Sequence, residues 1–362
     1  MTARVLHLIP TLGQGGAERQ LSLLGPGLAL AGQAIAVAFH TGGPNLSALE
    51  SAGVPLYQLP SRSNHDPRLL TDIASVVRRF RADIVQTWLL QMDVLGGTVA
   101  HWQGLSHVLS ERSSAAMYAP GGWKLRARAT LGRRADAIVA NSEGGLAYWR
   151  GLGARGAMHV VRNALTPSSA DAPADDFGLS AKPLLIAAGR LSHEKNVPAL
   201  VESLTIALRQ LPDHHAIIFG DGPERMGTEA LIAATGLSDR LHLGGYTNAL
   251  PWWLARADAF LSASFMEGHP NVVIEAAAAG CPLVLSDIPA HREFAVGNSA
   301  LFAPTRDAAA LARALIGTVV NRDASRSRVG EARSLTAALS VESAARRHID
   351  LYRTLSKTGH RP

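Results

Sequence analysis

Residues 4–20 read "RVLHLIPTLGQGGAERQ". The apolar run from Arg4 to Pro10 is short and nearly continuous, which suits a strand of a parallel sheet covered on both faces. Gly13, Gly15 and Gly16 follow, and Ala17 to Leu24 then shows helical spacing. Strand, glycine turn and helix together open a βα unit. The glycines let the backbone turn tightly and approach a ligand closely. The first turn of the helix presents free N–H groups that can hold an anion. Glu18 occupies the place of the third glycine in the dinucleotide fingerprint, so that fingerprint is unmatched. Taken alone, the loop is explained as well by a structural turn.

The same alternation continues outward. "AIAVAFH" (34–40), "ADIVQTW" (82–88), "HVLS" (107–110) and "DAIVANS" (136–142) read as strands, with helix-period stretches such as "RLLTDIASVVRRF" between them. Residues 166–183, "TPSSADAPADDFGLSAKP", break the pattern with Pro, Ser, Ala and Asp and read as a linker. After them "LLIAAGR", "HHAIIFG", "RLHLGGY", "DAFLSAS" and "PLVLSD" restart the series. The fold class expected is therefore α/β, with two doubly wound, Rossmann-like parallel-sheet domains facing a central cleft. Its divisions are 1–165, a linker at 166–183, 184–340, and a last helix at 341–362. In open parallel sheets ligands sit beyond the carboxyl ends of the strands, so strand-end motifs are where chemistry is to be sought.

Bulk composition fits this. The 362 residues are 47% hydrophobic and 18% charged, the balance of a globular protein of about two domains. A single cysteine, Cys281, excludes an internal disulfide and fits a reducing compartment. No stretch has the length and apolarity of a membrane span, and the N-terminus reads as a first strand rather than a signal peptide. A cytoplasmic location is expected. Residues 1–165 hold 16 Lys and Arg against 9 Asp and Glu, while the remainder hold 19 against 20. The first half thus carries the positive surplus and suits an acidic partner.

Three stretches of the second half carry chemistry. In "AAGRLSHEKN" (187–196) a strand ends at Gly189 and is followed by Arg190 and Lys195 in a short loop. A guanidinium fork and an ammonium can converge there on a diphosphate. "FGDGPE" (219–224) is a strand-end turn. In "EGHPNVVIEAAAAG" (267–280) two glutamates are separated by seven residues. Pro270 suits the first turn of a helix over about 270–279. Asn271 and Glu275 then share one face, and Val272, Ala276 and Ala279 form an apolar one. Glu267 lies near the helix N-terminus, which favours phosphate. One carboxylate can grip ribose or sugar hydroxyls deep in the site, the other those nearer the reaction.

With these motifs in hand, the chain resembles the retaining glycosyltransferases of the GT-B fold, family 4 (glycosyl transferases group 1), over nearly its whole length. "GRLSHEKN", "GDGPE", "LGGYTN" and "FMEGHPNVVIEAAAAGCPLVLSDIPAHREF" carry the likeness, with "GGAE" at 15–18 and "VANSE" at 139–143. The resemblance implies catalytic roles for Arg190, Lys195 and Glu267. The first two would neutralise the donor diphosphate, and Glu267 would contact the transferred sugar. It implies substrate binding by Gly15, Gly16, Gly245, Tyr246, Gly268, His269, Pro270, Asn271 and Glu275, with Glu275 on the ribose and the backbone at Gly245 and Tyr246 near the base. The first domain would bind the acceptor and the second the nucleotide sugar, and the last helix would cross back to the first domain. The expected reaction moves a sugar from a UDP- or GDP-sugar to a glycan or lipid-linked acceptor in polysaccharide or glycolipid assembly. A nucleotide-sugar 2-epimerase and a non-catalytic nucleotide-sugar binder are the alternatives. No nucleic-acid partner is expected.

Two departures from the family pattern stand out. "LSERSS", with Ser110, Glu111 and Arg112, occupies the end of the fourth first-domain strand, where relatives often carry a histidine; Arg112 could meet an acceptor phosphate there. "LLGPGLALAG" places Pro26 between two glycines in the first helix, which is expected to kink or break it. No two aspartates stand one residue apart, so the D-x-D metal–diphosphate motif is missing and no metal or other cofactor is expected. Finally, Arg78, Arg79 and Arg81, and "WKLRARATLGRR" at 123–134, suggest a first domain that meets an anionic membrane surface on its inner, cytoplasmic side.

Overall fold

The computed structural model describes residues 2–61, 66–113, 118, 122–165, 172–173, 175–179 and 181–358. It forms two compact units, Met1–Thr166 with Leu339–Pro362, and Pro167–Ala338. Residues 166–171, 174 and 180 of the sequence-defined linker lie outside the described residues.

The first unit alternates strand and helix. It runs β1 (Val5–Thr11), α1 (Gly16–Leu30), β2 (Ile35–Thr41), α2 (Leu46–Ser51), β3 (Leu56–Gln58), α3 (Leu69–Phe80) and β4 (Ile84–Trp88). It continues α4 (Leu89–Trp102), β5 (Ser106–Glu111), α5 (Trp123–Gly132), β6 (Ala137–Ala140), α6 (Glu143–Gly151) and β7 (Ala157–Val160). The second unit holds β8 (Leu184–Ala188), α7 (Val197–Gln210), β9 (His215–Phe219), α8 (Arg225–Ala234), β10 (Leu241–Gly245) and α9 (Leu250–Arg256). It ends with β11 (Ala259–Ser262), α10 (Asn271–Ala279), β12 (Leu283–Ser286), α11 (Pro289–Phe294), β13 (Leu301–Ala303), α12 (Ala308–Val320) and α13 (Arg322–Thr336). A last helix, α14 (Val341–Thr358), belongs to the first unit.

Both sheets are parallel throughout. Their orders are β3-β2-β1-β4-β5-β6-β7 and β10-β9-β8-β11-β12-β13. The order reverses between β1 and β4 in one sheet and between β8 and β11 in the other, and such switch points are where crevices open in doubly wound folds. Burial explains the continuous apolar strands. Leu6 and Leu8 pack with α3 and α4 on one face of β1, while Val5 and Ile9 pack with α1 and α14 on the other.

Three strands carry too little signal to be read locally. β3 and β13 have three residues each, and β7 alternates exposed with half-buried side chains. Each is added at a sheet edge by pairing with a stronger neighbour. Because β3 exists, Ser110 and Glu111 end the fifth strand of this unit rather than the fourth.

Pro26 does not break α1, which continues through it to Leu30. The flanking glycines serve close packing instead. A Cβ on Gly25 would lie 2.6 Å from Leu49 of α2, and one on Gly27 would lie 2.5 Å from Val341 of α14. α14 closes over α1 with Ala344, Ala345, Ile349, Tyr352 and Leu355 buried. The Tyr352 hydroxyl donates to Gln86 of β4. Burying each large apolar side chain is worth roughly 1.5–3 kcal/mol, so α14 is integral to this unit.

Candidate active site

In the second unit the switch point brings together residues far apart in sequence. β8 ends at Ala188, and the loop after it carries Arg190, exposed, and Lys195, half-buried at the end of a 3-10 turn. β11 ends at Ser262, and the loop after it carries Glu267. Lys195 Nζ lies 2.5 Å from Glu267 Oε1, a charge-assisted hydrogen bond across 72 residues of sequence. The same oxygen accepts the Ser264 hydroxyl at 2.8 Å. Neither charged side chain is fully covered; the lysine keeps 25% and the glutamate 13% of its exposure. Both remain reachable by a ligand.

The two loops are fastened to each other. Phe265 N donates to Glu194 O at 2.9 Å. Asn196 donates through its side-chain amide to Ala263 O at 3.1 Å and to Thr305 O at 2.8 Å, tying the lysine loop to the ends of β11 and β13. Asn196 has φ +53°, a left-handed conformation that asparagine tolerates better than most residues. Sequence reading quoted this residue without giving it a role.

The Gly-Asp-Gly-Pro turn packs beneath the arginine loop. Gly220 has φ +129°, and a Cβ there would lie 1.9 Å from Gly189 O, so both the backbone angle and the space demand glycine. Leu191 N donates to Asp221 O, and Glu224 N to Leu191 O. The turn therefore shapes the Arg190 loop from below. At the end of β10, Gly245 takes φ +64° and Tyr246 is 57% exposed.

α10 runs Asn271–Ala279, with Pro270 at the N-cap rather than at the first helical position. Its buried residues are Val273, Ile274, Ala276 and Ala277. The apolar face expected, Val272, Ala276 and Ala279, was misplaced: Val272 and Ala279 are only half-buried. The reason is that α10 packs on α9 and α13 as well as on β11 and β12, so its neighbours, not its own periodicity, set the buried face. Asn271 and Glu275 do share a half-buried face, one turn apart. Gly268, His269 and Pro270 are buried in the turn that joins Glu267 to the helix.

Gly15 and Gly16 lie in the first unit, at the start of α1. Glu18, third residue of that helix, folds back so closely that a Cβ on Gly15 would lie 2.2 Å from its Oε2. A carboxylate thus covers the N-terminus that the sequence offered to an anion. The loop is pinned by Asn45, whose side-chain amide donates to Gly13 O and whose Oδ1 accepts from Ser22 at 3.1 Å. Asn45 follows β2, and nothing in the local sequence marks it as a partner of the glycine loop. Nearby, the ends of β2 and β3 line a cavity of about 480 Å³ with His40, Thr41, Gln58 and Ser61.

Ser110, Glu111 and Arg112 build structure. Glu111, 1% exposed, accepts from Ser113 N (2.9 Å), the Tyr118 hydroxyl (2.7 Å), Arg128 Nη2 (2.9 Å) and Trp149 Nε1 (2.9 Å). Arg128 also donates to Asp93 at 2.7 Å. Burial pushes the Asp93 carboxyl up to about 6, against the pull of Arg128. Arg112 lies 4.4 Å from the centre of the Trp88 ring and donates to Asn163 at 3.2 Å; burial lowers it to about 10. Its half-buried guanidinium is held inside the unit by these two contacts.

Comparison with known proteins fits this geometry. The family model described as Glycosyltransferase Family 4 matches residues 14–168, and that described as Glycosyl transferases group 1 matches residues 175–334. A lipopolysaccharide core biosynthesis glycosyltransferase of Rhizobium meliloti is 29% identical over 208 residues, 55% of this chain and 58% of the relative. A lipopolysaccharide core biosynthesis mannosyltransferase of the same organism is 35% identical over 117 residues, 31% of this chain and 33% of the relative. The chain thus spans between a third and three fifths of the length of these curated relatives. Among solved structures, Anabaena HepE in complex with UDP and glucose superposes with a TM-score of 0.84 at 19% identity, covering 98% of this chain and 100% of that one. Sucrose-phosphate synthase from Thermosynechococcus elongatus gives a TM-score of 0.83 at 19% identity, covering 98% of this chain and 100% of that one. At such identities these likenesses speak for the fold alone. With one family model on each sheet, the chain belongs to the group 1 glycosyltransferases of family 4 and has the GT-B fold.

Proposed function

We propose that this protein is a retaining glycosyltransferase that moves a sugar from a UDP- or GDP-sugar to a glycan or lipid-linked acceptor, in polysaccharide or glycolipid assembly. The observation that carries the reading is the Lys195–Glu267 pair at the sheet's switch point, with Arg190 on the same loop. In this reading Lys195 and Arg190 take the donor diphosphate. Backbone N–H groups at Asn271, beyond the Gly268–Pro270 turn, add positive potential. Glu267, set between a cation and a hydroxyl, faces the transferred sugar, and Glu275 holds the ribose. The backbone at Gly245 and the exposed Tyr246 ring meet the base. Within the first unit, the open groove at His40 and Gln58 offers polar groups to an acceptor's hydroxyls. The names of the lipopolysaccharide relatives and the UDP complexes of the structural neighbours support a nucleotide donor and a glycan product.

Incubation with labelled UDP-glucose or GDP-mannose and a lipid-linked or glycan acceptor tests this. A glycosylated product with the donor's anomeric configuration is expected; an epimerised donor or no turnover with any nucleotide sugar would overturn it. Two site variants sharpen the assignment. Glu275→Ala is expected to weaken donor binding, measured by calorimetry, with a smaller effect on turnover. Glu267→Ala is expected to lower turnover with donor affinity largely kept. Unchanged donor affinity in Glu275→Ala would remove the ribose from that position.

The reaction is proposed to run without a metal, because Arg190, Lys195 and the α10 N-terminus supply the charge that a cation otherwise brings. Turnover after exhaustive chelation is expected to match the untreated enzyme; loss on chelation with rescue by a divalent cation would refute it.

The first unit is proposed to meet an anionic membrane surface reversibly. No helix among the described residues is long and apolar enough to cross a membrane. The structure changes which side chains can take part. Trp123 is 70% exposed, and Lys124, Arg126, Arg133 and Arg134 are exposed, but Arg128 points inward at Asp93 and Glu111. Each exposed basic group near the surface adds about 1 kcal/mol. Sedimentation with phosphatidylserine vesicles at low salt should therefore fall when Lys124, Arg126, Arg133 and Arg134 are neutralised together. Binding indifferent to those changes or to added salt would rule the surface out.

A further inference from the structure

Behind Glu267, a buried histidine that the functional reading does not use closes a chain of hydrogen-bonding groups. His291, on α11, has no exposed surface. Its Nδ1 lies 2.8 Å from Ser286 O, an acceptor only, so Nδ1 carries the proton. Burial lowers the imidazole's affinity for a second proton, so Nε2 is left as an acceptor. It faces the Ser262 hydroxyl at 3.4 Å. Ser262 Oγ in turn lies 3.3 Å from Ser264 Oγ. Ser264 has one proton to give. The Glu267 carboxylate, charged and 2.8 Å away, is a stronger acceptor than the neutral Ser262 hydroxyl at 3.3 Å, so that proton goes to Glu267. The Ser262 proton goes to His291 Nε2, so no hydrogen bond joins the two serine hydroxyls and the link from His291 to Glu267 runs through Ser286.

A second tie runs through the backbone. The Ser286 hydroxyl donates to Ser264 O at 2.7 Å, and the carbonyl of the same Ser286 receives the His291 proton. One imidazole therefore locks the carboxyl ends of β11 and β12, from which the Glu267 loop departs. Ser264, Ser286 and His291 are each at most 1% exposed, so water does not compete for these bonds.

We infer that His291 is a positioning residue for the Glu267 carboxylate, acting through Ser286 and Ser264. This rests on the role given to Glu267 above. Its physical content is that Glu267 cannot be held by Lys195 alone. A lysine that also serves a donor diphosphate shares its donors between two anions, and the serine chain keeps the carboxylate aimed while that happens. A small misplacement of a group at a reacting centre is costly, up to about 10²-fold for 1 Å.

Two measurements on the full chain test it. In the first, histidine side chains are labelled with ¹⁵N and the His291 signals are assigned with His291→Gln. A neutral, Nδ1-protonated imidazole is expected. Glu267→Gln should shift its Nδ1 resonance, and Ser286→Ala should diminish that shift. A His291 spectrum indifferent to Glu267→Gln would overturn the inference. In the second, steady-state turnover is measured with whichever of UDP-glucose and GDP-mannose the wild-type chain uses. Ser286→Ala and His291→Gln should each lower kcat by about tenfold with the donor KM little changed. Ser286→Thr, which keeps the hydroxyl, should recover most of the loss. In a Glu267→Gln background the Ser286→Ala effect should disappear. Losses that fall on KM, or that persist undiminished in that background, indicate a merely structural role and defeat the proposal. Should wild type turn over neither donor, the functional reading fails separately, and the magnetic-resonance result still decides whether His291 is coupled to Glu267.

Discussion

Lys195→Ala is expected to lower kcat by about 10²-fold or more, and Arg190→Ala by a comparable factor, because each removes a cation from the place where the leaving diphosphate gathers charge. The two variants should differ in one respect. Arg190 is exposed on its loop, so its loss should leave the apo site intact. Lys195 is also the partner of Glu267 at 2.5 Å. Without it the carboxylate keeps only the Ser264 hydroxyl among these two contacts, so Lys195→Ala should additionally perturb Glu267 before any donor arrives. Lys195→Arg separates charge from geometry. It restores the positive charge but brings a rigid planar fork in place of a compact ammonium, and partial recovery is expected. Steady-state rates with labelled donor decide the matter. Near-wild-type turnover in both alanine variants would show that these residues do not meet the diphosphate.

The largest expected effect on stability lies elsewhere, in the first unit. Arg128→Ala should lower unfolding free energy by about 3–5 kcal/mol, the usual consequence of leaving buried charges without their partner. Arg128 is 2% exposed and satisfies Asp93 and Glu111, at 0% and 1%. Its guanidinium also lies within 5 Å of the Tyr118 and Trp149 ring centres, at 4.8 and 4.9 Å. Arg126, two residues earlier on the same helix, is exposed, and Arg126→Ala should change stability by no more than about 0.5 kcal/mol. Urea unfolding followed by tryptophan fluorescence compares them directly. Equal midpoints for the two variants would contradict the buried network. The pair also explains why a basic stretch cannot be scored by counting: "KLRARATLGRR" mixes side chains that face water with one that holds a unit together.

Much of the architecture was legible along the chain because its causes are local. A parallel sheet covered on both faces needs continuous apolar strands, and "VLHLIP", "IVQTW" and "LLIAA" announce them without reference to anything distant. Glycines at strand ends mark places where backbone must pass close to backbone, and Gly220 against Gly189 O is such a place. The spacing of Glu267 and Glu275, with Pro270 and Asn271 between, located α10 to within a residue at each end.

What the sequence could not supply was partnership. β3, β7 and β13 exist because a neighbouring strand offers its edge, and three or four residues hold too little pattern to predict that. The glycines on either side of Pro26 are explained by α2 and α14, which close on them. The surroundings of Glu111 and Arg112 are set by folding alone, which brings Arg128 and Trp149 against the first and Trp88 against the second. His291 reaches Ser262 and Ser286 because β11 and β12 run side by side and end at the same level. The sequence by itself determined that there are two parallel sheets and which strand ends carry charge; tertiary structure alone decided which of those charges stay partly exposed and which are consumed in holding the fold, because hydrogen bonds and burial are set by neighbours in space that periodicity along the chain does not encode.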